Sequence, residues 1–397
     1  MLRRKLQNTA ARCLDGSPPA YYLRKGSVDK WAVFFEGGGW CYDLEQCYER
    51  SKGDLGSSLK YPYILDTSRI GHFKECLSPF PKENRMHNWN TVYVRYCDGA
   101  SFAGNAEQAY STYDNGTYLN STLYFKGRTN RDETVRGLLR EGMKTASEVV
   151  FMGGSAGALG VILGIDAMAH IGGNATVRGL ADSGFFLKYT PKQPNNSTGG
   201  LKSEESGGYR GPDYQHSMIG LPLSNCFFAE HVLLGVETPI FLTQPQYDLW
   251  QLRNVLGKTE DPEESVNEFG ALMVRDLGRT LFQGHGQGGH GVFIDSCVHH
   301  SASCTRAGEN SWQGTHILSD DSLLTPSAAF ERWYDSLRPT PTSPTTPTTP
   351  TPAPIKPNTV GFYNATAGVN WFFQDRRFPC ADCCLCVPML SQYAIED

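Results

Sequence analysis

The stretch 147–157, SEVVFMGGSAG, limits what this chain can fold into more than any other. Val149, Val150, Phe151 and Met152 are consecutive and apolar, so neither face of this strand is polar. That pattern belongs to a strand buried on both faces of a parallel sheet. G-x-S-x-G follows at once, and after it the apolar run ALGVILGIDAMAH, which reads as a buried helix broken only by Asp166. A strand that turns sharply into a helix through small residues holds a serine hydroxyl exposed at the carboxyl end of the sheet. Ser155 is therefore the expected nucleophile. The plainer reading is a serine that caps a helix in an ordinary βα turn.

Further short apolar runs recur along the chain. KWAVFFEGGGW (30–40), NTVYVRYCDG (90–99), TPIFLTQPQYD (238–248) and GVFIDSCV (291–298) each read as a strand. Between them, Val135, Leu138, Leu139 and Met143 recur at helical spacing. Strands alternating with helices predict an α/β fold with a mostly parallel sheet, covered by helices on both faces. The 397 residues suit one large domain of this kind, spanning 1–338. From 339 to 357 runs PTPTSPTTPTTPTPAPIKP, a Thr/Pro tract that cannot build a core and reads as a linker or looped-out insertion. The segment 358–397 is cysteine-rich and is expected to pack on the catalytic domain.

Charge and cysteine usage narrow the setting. The net charge of −5, spread without long runs, argues against a nucleic-acid or anionic-membrane partner. No apolar run reaches the roughly 18 residues that a membrane-spanning helix requires. Twelve cysteines point to an oxidising compartment. Six N-x-S/T triplets, headed by Asn115, Asn120, Asn174, Asn195, Asn196 and Asn364, agree with it. The N-terminal MLRRKLQNTAARC carries no apolar segment of the kind that directs secretion, so either the sequence starts at a mature or cloned boundary, the favoured reading, or the protein is cytosolic. A secreted monomer with no cofactor is the expectation. Cys380, Cys383, Cys384 and Cys386 have a spacing that could ligate a metal, but in a secreted chain disulfides are expected and no metal. Cys41 and Cys47 are close enough in sequence to pair.

A serine nucleophile needs a base, an acid and donors for the oxyanion. In α/β-hydrolases the chain order is Ser, Asp or Glu, then His. Asp182 in GLADSGFF and Asp248 in TQPQYDLWQL both follow plausible strands. The acid usually follows the second strand after the nucleophile, which favours Asp248. For the base, His285 and His290 precede the last strand, whereas His299 and His300 follow it, at the correct end. Asp295 lies too near His300 along the strand to orient it. Adjacent residues of an extended segment point to opposite sides, so one of the two histidines can reach Ser155. Oxyanion donors are expected from the amide of Ala156 and from the glycine turn FFEGGGWC, at Gly38 and Gly39, with Trp40 lining the pocket.

With these residues assembled, the chain resembles the pectin acetylesterase family. CLDGSPPAYYL (13–23), FFEGGGWC, GGSAG, ADSGFF (181–186), YDLWQ (247–251) and FIDSCVHH look like its signatures and occur in its order. The resemblance runs from about Gln7 to the terminal cysteines; the Thr/Pro tract and the dense cysteine cluster depart from it. It implies an α/β-hydrolase fold and a carboxylic ester hydrolase, with Ser155 as nucleophile, Asp248 as acid and His300 as base. The family spacing from Cys297, not local physics, chooses His300 over His299. The implied substrate is an acetylated polysaccharide. Two alternatives stand beside it: release of a longer acyl chain from a lipidated protein, and an inactive glycan-binding relative.

Overall fold

The computed structural model describes residues 1–80, 84–114, 117–189, 227–257, 261–283, 289–301, 312, 317–319, 322–337, 360–364 and 370–374. Its strands are β1 (Leu2–Lys5), β2 (Ala20–Arg24), β3 (Lys30–Phe35), β4 (Asn90–Val94), β5 (Ala106–Asp114), β6 (Thr117–Phe125) and β7 (Glu148–Gly154). They continue with β8 (Thr176–Asp182), β9 (Ile240–Asp248), β10 (Gly291–His299), β11 (Ile317–Ser319), β12 (Ser322–Leu324), β13 (Val360–Asn364) and β14 (Asn370–Gln374). The principal helices are α1 (Leu44–Ser51), α2 (Gly127–Arg140), α3 (Ala156–Gly172), α4 (Pro262–Gln283) and α5 (Pro326–Ser336).

Ten strands form one sheet in the order β1-β2-β4-β3-β7-β8-β9-β10-β14-β13. The run from β4 to β14 is parallel throughout, and antiparallel pairs close both edges. This is the α/β-hydrolase-like architecture the strand–helix alternation implied. The two-sided burial read from VVFM holds strand by strand. Trp31, Val33, Phe35, Val149, Phe151, Ile240, Leu242, Val292 and Ile294 face a core shared with α2, α3 and α4. Ala32, Phe34, Val150, Met152, Phe241 and Phe293 face the other way, against Trp312, Phe330, Trp333 and Tyr334, the last three on α5. Helices thus cover both faces because every second residue on either side is apolar.

β13 and β14 come after the Thr/Pro tract, and β14 pairs in parallel with β10. The Cys380–Cys386 cluster lies outside the described residues. Two disulfides are described, Cys13–Cys97 and the expected Cys41–Cys47. The first closes a long loop, worth about 4–5 kcal/mol in the chain-entropy picture. It holds the segment before β2 to the exit of β4. Cys297 is also disulfide-bonded.

Candidate active site

The elbow is built from backbone contacts that only glycine allows. A Cβ on Gly153 would lie 2.4 Å from the Gly157 carbonyl carbon, and one on Gly157 would lie 2.2 Å from the Phe35 carbonyl oxygen. β7 and the first turn of α3 therefore press against each other and against the end of β3. Ser155 sits at the apex with φ 55° and ψ −125°. A non-glycine residue held there stores strain of about 1–3 kcal/mol. Two backbone bonds hold it, from Ser155 N to the Asp182 carbonyl (2.8 Å) and from Leu159 N to the Ser155 carbonyl (3.0 Å).

From this apex a hydrogen-bonded chain runs across three strand ends. Ser155 Oγ is 2.7 Å from His300 Nε2. His300 Nδ1 is 2.8 Å from Asp248 Oδ2 and 3.0 Å from Oδ1. Asp248 ends β9, the second strand after the elbow, and is fully buried. Its Oδ1 also accepts from the Gln251 backbone N–H at 2.9 Å, which caps the short helix Leu249–Gln251. A carboxylate held on two sides keeps the imidazole in one orientation and tautomer, with Nδ1 protonated and Nε2 free to accept from the serine. Such a chain can draw a proton from the Ser155 hydroxyl as its oxygen attacks.

The remaining histidines separate cleanly. His299 is buried and points away, its Nε2 3.0 Å and 3.2 Å from the Asp295 carboxylate oxygens. His290 opens β10 at the opposite end of the sheet. Its Nδ1 accepts from Ile240 N (3.2 Å), its Nε2 faces the Val236 carbonyl (3.2 Å), and burial lowers its pKa despite that bond. His285 lies outside the described residues. Asp182 is not in the chain. Its side chain accepts from Thr243 Oγ1 (3.0 Å) and Ser183 Oγ (3.3 Å), and its carbonyl holds the elbow. Asp182 thus braces the turn that carries Ser155 from the next strand.

The glycine turn is anchored from below. Glu36 accepts from Arg95 Nε (2.7 Å), the Tyr96 backbone N–H (2.9 Å) and Tyr93 Oη (3.3 Å). Burial pushes its pKa up, and the Arg95 charge and these hydrogen bonds work against that shift. Gly37 touches the elbow: a Cβ there would meet the Gly154 carbonyl oxygen at 2.4 Å and Ser155 Cβ at 3.1 Å. Gly38 (φ 144°) and Gly39 (φ 61°) follow in backbone that L side chains rarely adopt. The Gly38 carbonyl accepts from Arg50 Nη2 (2.8 Å) and the Gly39 carbonyl from Tyr96 Oη (2.9 Å). A trans peptide sets N–H opposite C=O. The amides of Gly39 and Trp40 consequently point away from those two partners. The space around Gly39 is open, with nothing within 4 Å of a built Cβ. The Cys41–Cys47 disulfide and the Asp43 cap of α1 fix the far side of the turn. Ala156, first residue of α3, has one of the N–H groups a helix start leaves unpaired within the helix.

Trp40 is buried, with its Nε1 donating to Ser101 Oγ at 2.8 Å. Its ring meets Phe186, Phe227 and Trp250 edge-on at 4.8, 5.9 and 5.3 Å. Phe186 and Trp250 each stand 6.2 Å from the His300 ring. Sequence reasoning missed Glu36, Ser183 and Ser301. Ser301 N donates to Ser183 Oγ at 2.8 Å, and both serines have positive φ, 52° and 54°. That bond ties the turn after His300 to the turn after β8. Nothing in one sequence marks a serine as a brace of this kind. Glu36 was legible in principle, as a charge between an apolar strand and three glycines. Among the described residues, no three His, Cys, Asp or Glu side chains gather to hold a metal, and no helix is long and apolar enough to cross a membrane.

Comparison with known proteins places the chain in a family. The family model Pectinacetylesterase matches residues 2–342. Pectin acetylesterase 5 of Arabidopsis thaliana is 31% identical over 368 residues, covering 85% of this chain and 82% of its own length. The mouse palmitoleoyl-protein carboxylesterase NOTUM is 30% identical, over 74% of this chain and 59% of its own. The solved structure of the Wnt deacylase Notum from Drosophila superposes with a TM-score of 0.63 at 27% identity, covering 85% of this chain and 93% of that one. The chain belongs to the pectin acetylesterase family and is a carboxylic ester hydrolase.

Proposed function

We propose that this chain removes acetyl groups from a polysaccharide such as pectin by a serine-esterase mechanism. The observation that carries the reading is the unbroken chain Ser155–His300–Asp248, with contacts of 2.7 and 2.8 Å on an elbow of positive φ. Ser155 Oγ attacks the acetyl carbonyl while His300 Nε2 takes its proton. Asp248 holds the imidazole and balances the imidazolium. The tetrahedral oxyanion is met by the amides of Gly38, Gly39 and Ala156. His300 then protonates the departing sugar oxygen as the C–O bond breaks, leaving an acetyl-serine. Water, deprotonated by His300, hydrolyses that ester and frees acetate.

An acetyl substrate suits the surroundings of His300. Trp40, Phe186, Phe227 and Trp250 already fill one side of the site with rings in mutual contact. A two-carbon acyl group needs little space beyond them, and Trp40 forms its wall. The relatives named pectin acetylesterases also match this chain over most of their length. An extracellular setting is supported by the disulfides and by Asn120 and Asn174, both exposed sequon heads. The enzyme is read as a monomer that needs no cofactor.

Ser155→Ala tests the reading. Turnover of acetylated pectin should fall by about 10⁴ or more, in line with nucleophile deletions elsewhere, while thermal unfolding stays nearly unchanged. Retained turnover would sink the assignment. Acetylated pectin against p-nitrophenyl octanoate, with the wild-type enzyme, separates acetyl from longer-acyl preference. Octanoate turnover well above that of acetyl esters would overturn the acetyl reading.

A further inference from the structure

The glycine turn beside Ser155 has carbonyls as well as amides, and two of those carbonyls meet one side chain that the mechanism does not use. Arg50 stands half-buried in the last turn of α1. Its Nη2 donates to the Gly38 carbonyl at 2.8 Å, its Nη1 to the Trp40 carbonyl at 3.4 Å and its Nε to the Leu55 carbonyl at 3.2 Å. The guanidinium also lies over the Tyr96 ring, 5.2 Å from its centroid. Among the described residues no carboxylate forms an ion pair with Arg50; every nitrogen of its head goes to main-chain oxygen. The position is fixed from several sides. The Cys41–Cys47 disulfide and the Asp43 cap tie α1 to the end of the turn. Leu55 packs against the turn itself, so that a Cβ on Gly38 would strike its side chain at 2.8 Å.

The Gly38 carbonyl and the Gly39 N–H belong to the same peptide group, which resonance makes one planar unit. A cation hydrogen-bonded to the oxygen of such a unit draws electron density from its nitrogen, and the N–H becomes a stronger donor. Arg50 therefore acts on the Gly39 N–H from behind, through the amide. The next peptide is held in the same way by a neutral group. Tyr96 Oη donates to the Gly39 carbonyl at 2.9 Å, on the peptide that carries the Trp40 N–H, and itself accepts from Ser101 N at 2.9 Å. Of the two, only Arg50 brings a full charge, and it keeps that charge at any pH at which the protein is folded.

We propose that Arg50 is a positioning residue for the oxyanion: hydrogen-bonded to the Gly38 carbonyl, it fixes the glycine turn and transmits its positive charge through the Gly38–Gly39 peptide to the tetrahedral intermediate. The inference rests on the reading of this turn as the oxyanion hole. An uncharged ester gains little from that charge, whereas the oxygen that becomes an anion as Ser155 attacks gains much more. An interaction that strengthens only toward the transition state raises kcat and leaves substrate binding nearly alone. Arg50 takes no part in proton transfer, since its guanidinium stays protonated.

The test measures kcat and KM for p-nitrophenyl acetate, and inhibition by trifluoroacetone, in the wild type, Arg50→Gln and Arg50→Lys. Trifluoroacetone mimics the acetyl intermediate: Ser155 Oγ bonds to its carbonyl carbon, the serine proton passes to His300, and the carbonyl π pair becomes an oxyanion. In Arg50→Gln, kcat should fall about tenfold and the ketone should bind about tenfold more weakly, with KM nearly constant. That is less than the loss of a whole oxyanion donor, about 10²–10³ in kcat, because the Gly39 N–H remains. Arg50→Lys keeps the charge and should fall between the two. A rise in KM with kcat and ketone affinity intact would overturn the proposal, as would an Arg50→Lys protein no better than Arg50→Gln. Lys52→Gln is the control, removing a positive charge that pairs with Glu49 at the same end of α1. It should leave both readouts in place, and an equal loss there would replace the specific contact with a general field. If Arg50→Gln does not fold, Arg50→Lys is compared with the wild type, where kcat and ketone affinity should drop together at constant KM; a change in KM alone would refute the role. Failure of the esterase reading shows differently, as the lack of any fluorine NMR signal for a ketone adduct that Ser155→Ala abolishes.

Discussion

At the amino ends of β3, β7 and β8, a half-buried carboxylate meets permanent cations. At the carboxyl ends of β8, β9 and β10, three carboxylates lie beside two histidines. Glu148, which opens β7, is 2.5 Å from Lys30 Nζ and 3.5 Å from Arg178 Nη1, and it accepts from the Tyr334 hydroxyl. Arg178 and Arg85 lie over the Tyr334 ring, each 4.2 Å from its centroid. Burial alone would raise the pKa of Glu148. The bonds from Lys30 and Tyr334 and the charges of Lys30 and Arg178 outweigh it, so the net shift is downward. The other end gathers carboxylates and imidazoles beside turns held in strained backbone at Ser155, Ser183 and Ser301. One set of strands thus ends in an ion-pair cluster on one side and in the candidate site on the other.

Substitutions at the two ends should separate these roles. The largest effect is expected for Asp248→Asn, which keeps the packing but disturbs the tautomer of His300. By analogy with the same change in serine proteases, kcat should drop about 10⁴-fold. A drop under tenfold, measured with p-nitrophenyl acetate, would mean that Asp248 does not orient the base. Next comes Gly37→Ala. Its Cβ would strike the Gly154 carbonyl and crowd Ser155 Cβ, shifting the elbow by a fraction of an ångström to an ångström. A kcat loss of about 10²-fold fits a displacement of that size, with part of the stability lost as well. Unchanged kinetics would show that the glycine turn and the elbow are not mechanically joined. The smallest kinetic effect belongs to Glu148→Gln. It should cost roughly 1–3 kcal/mol of stability by leaving charged donors without their acceptor, and kcat/KM should not move. A kinetic change there, seen beside a normal unfolding curve, would break the division between the two ends.

Much of this arrangement was legible before any coordinates. The elbow showed itself because strand, glycines and helix are contiguous, and Asp248 followed from strand counting. The choice of His300 over His299 needed the family spacing, since both stand at the same strand end. Local pattern did not show the irregularity in β10 that turns His299 back toward Asp295, because nothing in IDSCVHH marks where a ladder slips. The sheet edges escaped for another reason. β1 and β2 carry Arg3, Arg4 and Arg24 among their residues, and edge strands tolerate such polarity. The β5–β6 hairpin was a missed signal: Asp114 and Thr117 pair across Asn115-Gly116, a dipeptide that favours a two-residue turn. The braces at Ser183 and Ser301 are tertiary facts, and a serine in a loop carries no sign of them.

The pairing of β14 with β10 bears on how the enzyme matures. β10 leads directly into His300, yet its outer neighbour is made some 70 residues later, after the Thr/Pro tract. During synthesis β10 therefore emerges with an open edge, and an unpaired edge invites pairing with other chains. The strand that leads into His300 gains its second neighbour only after the Thr/Pro tract has been made.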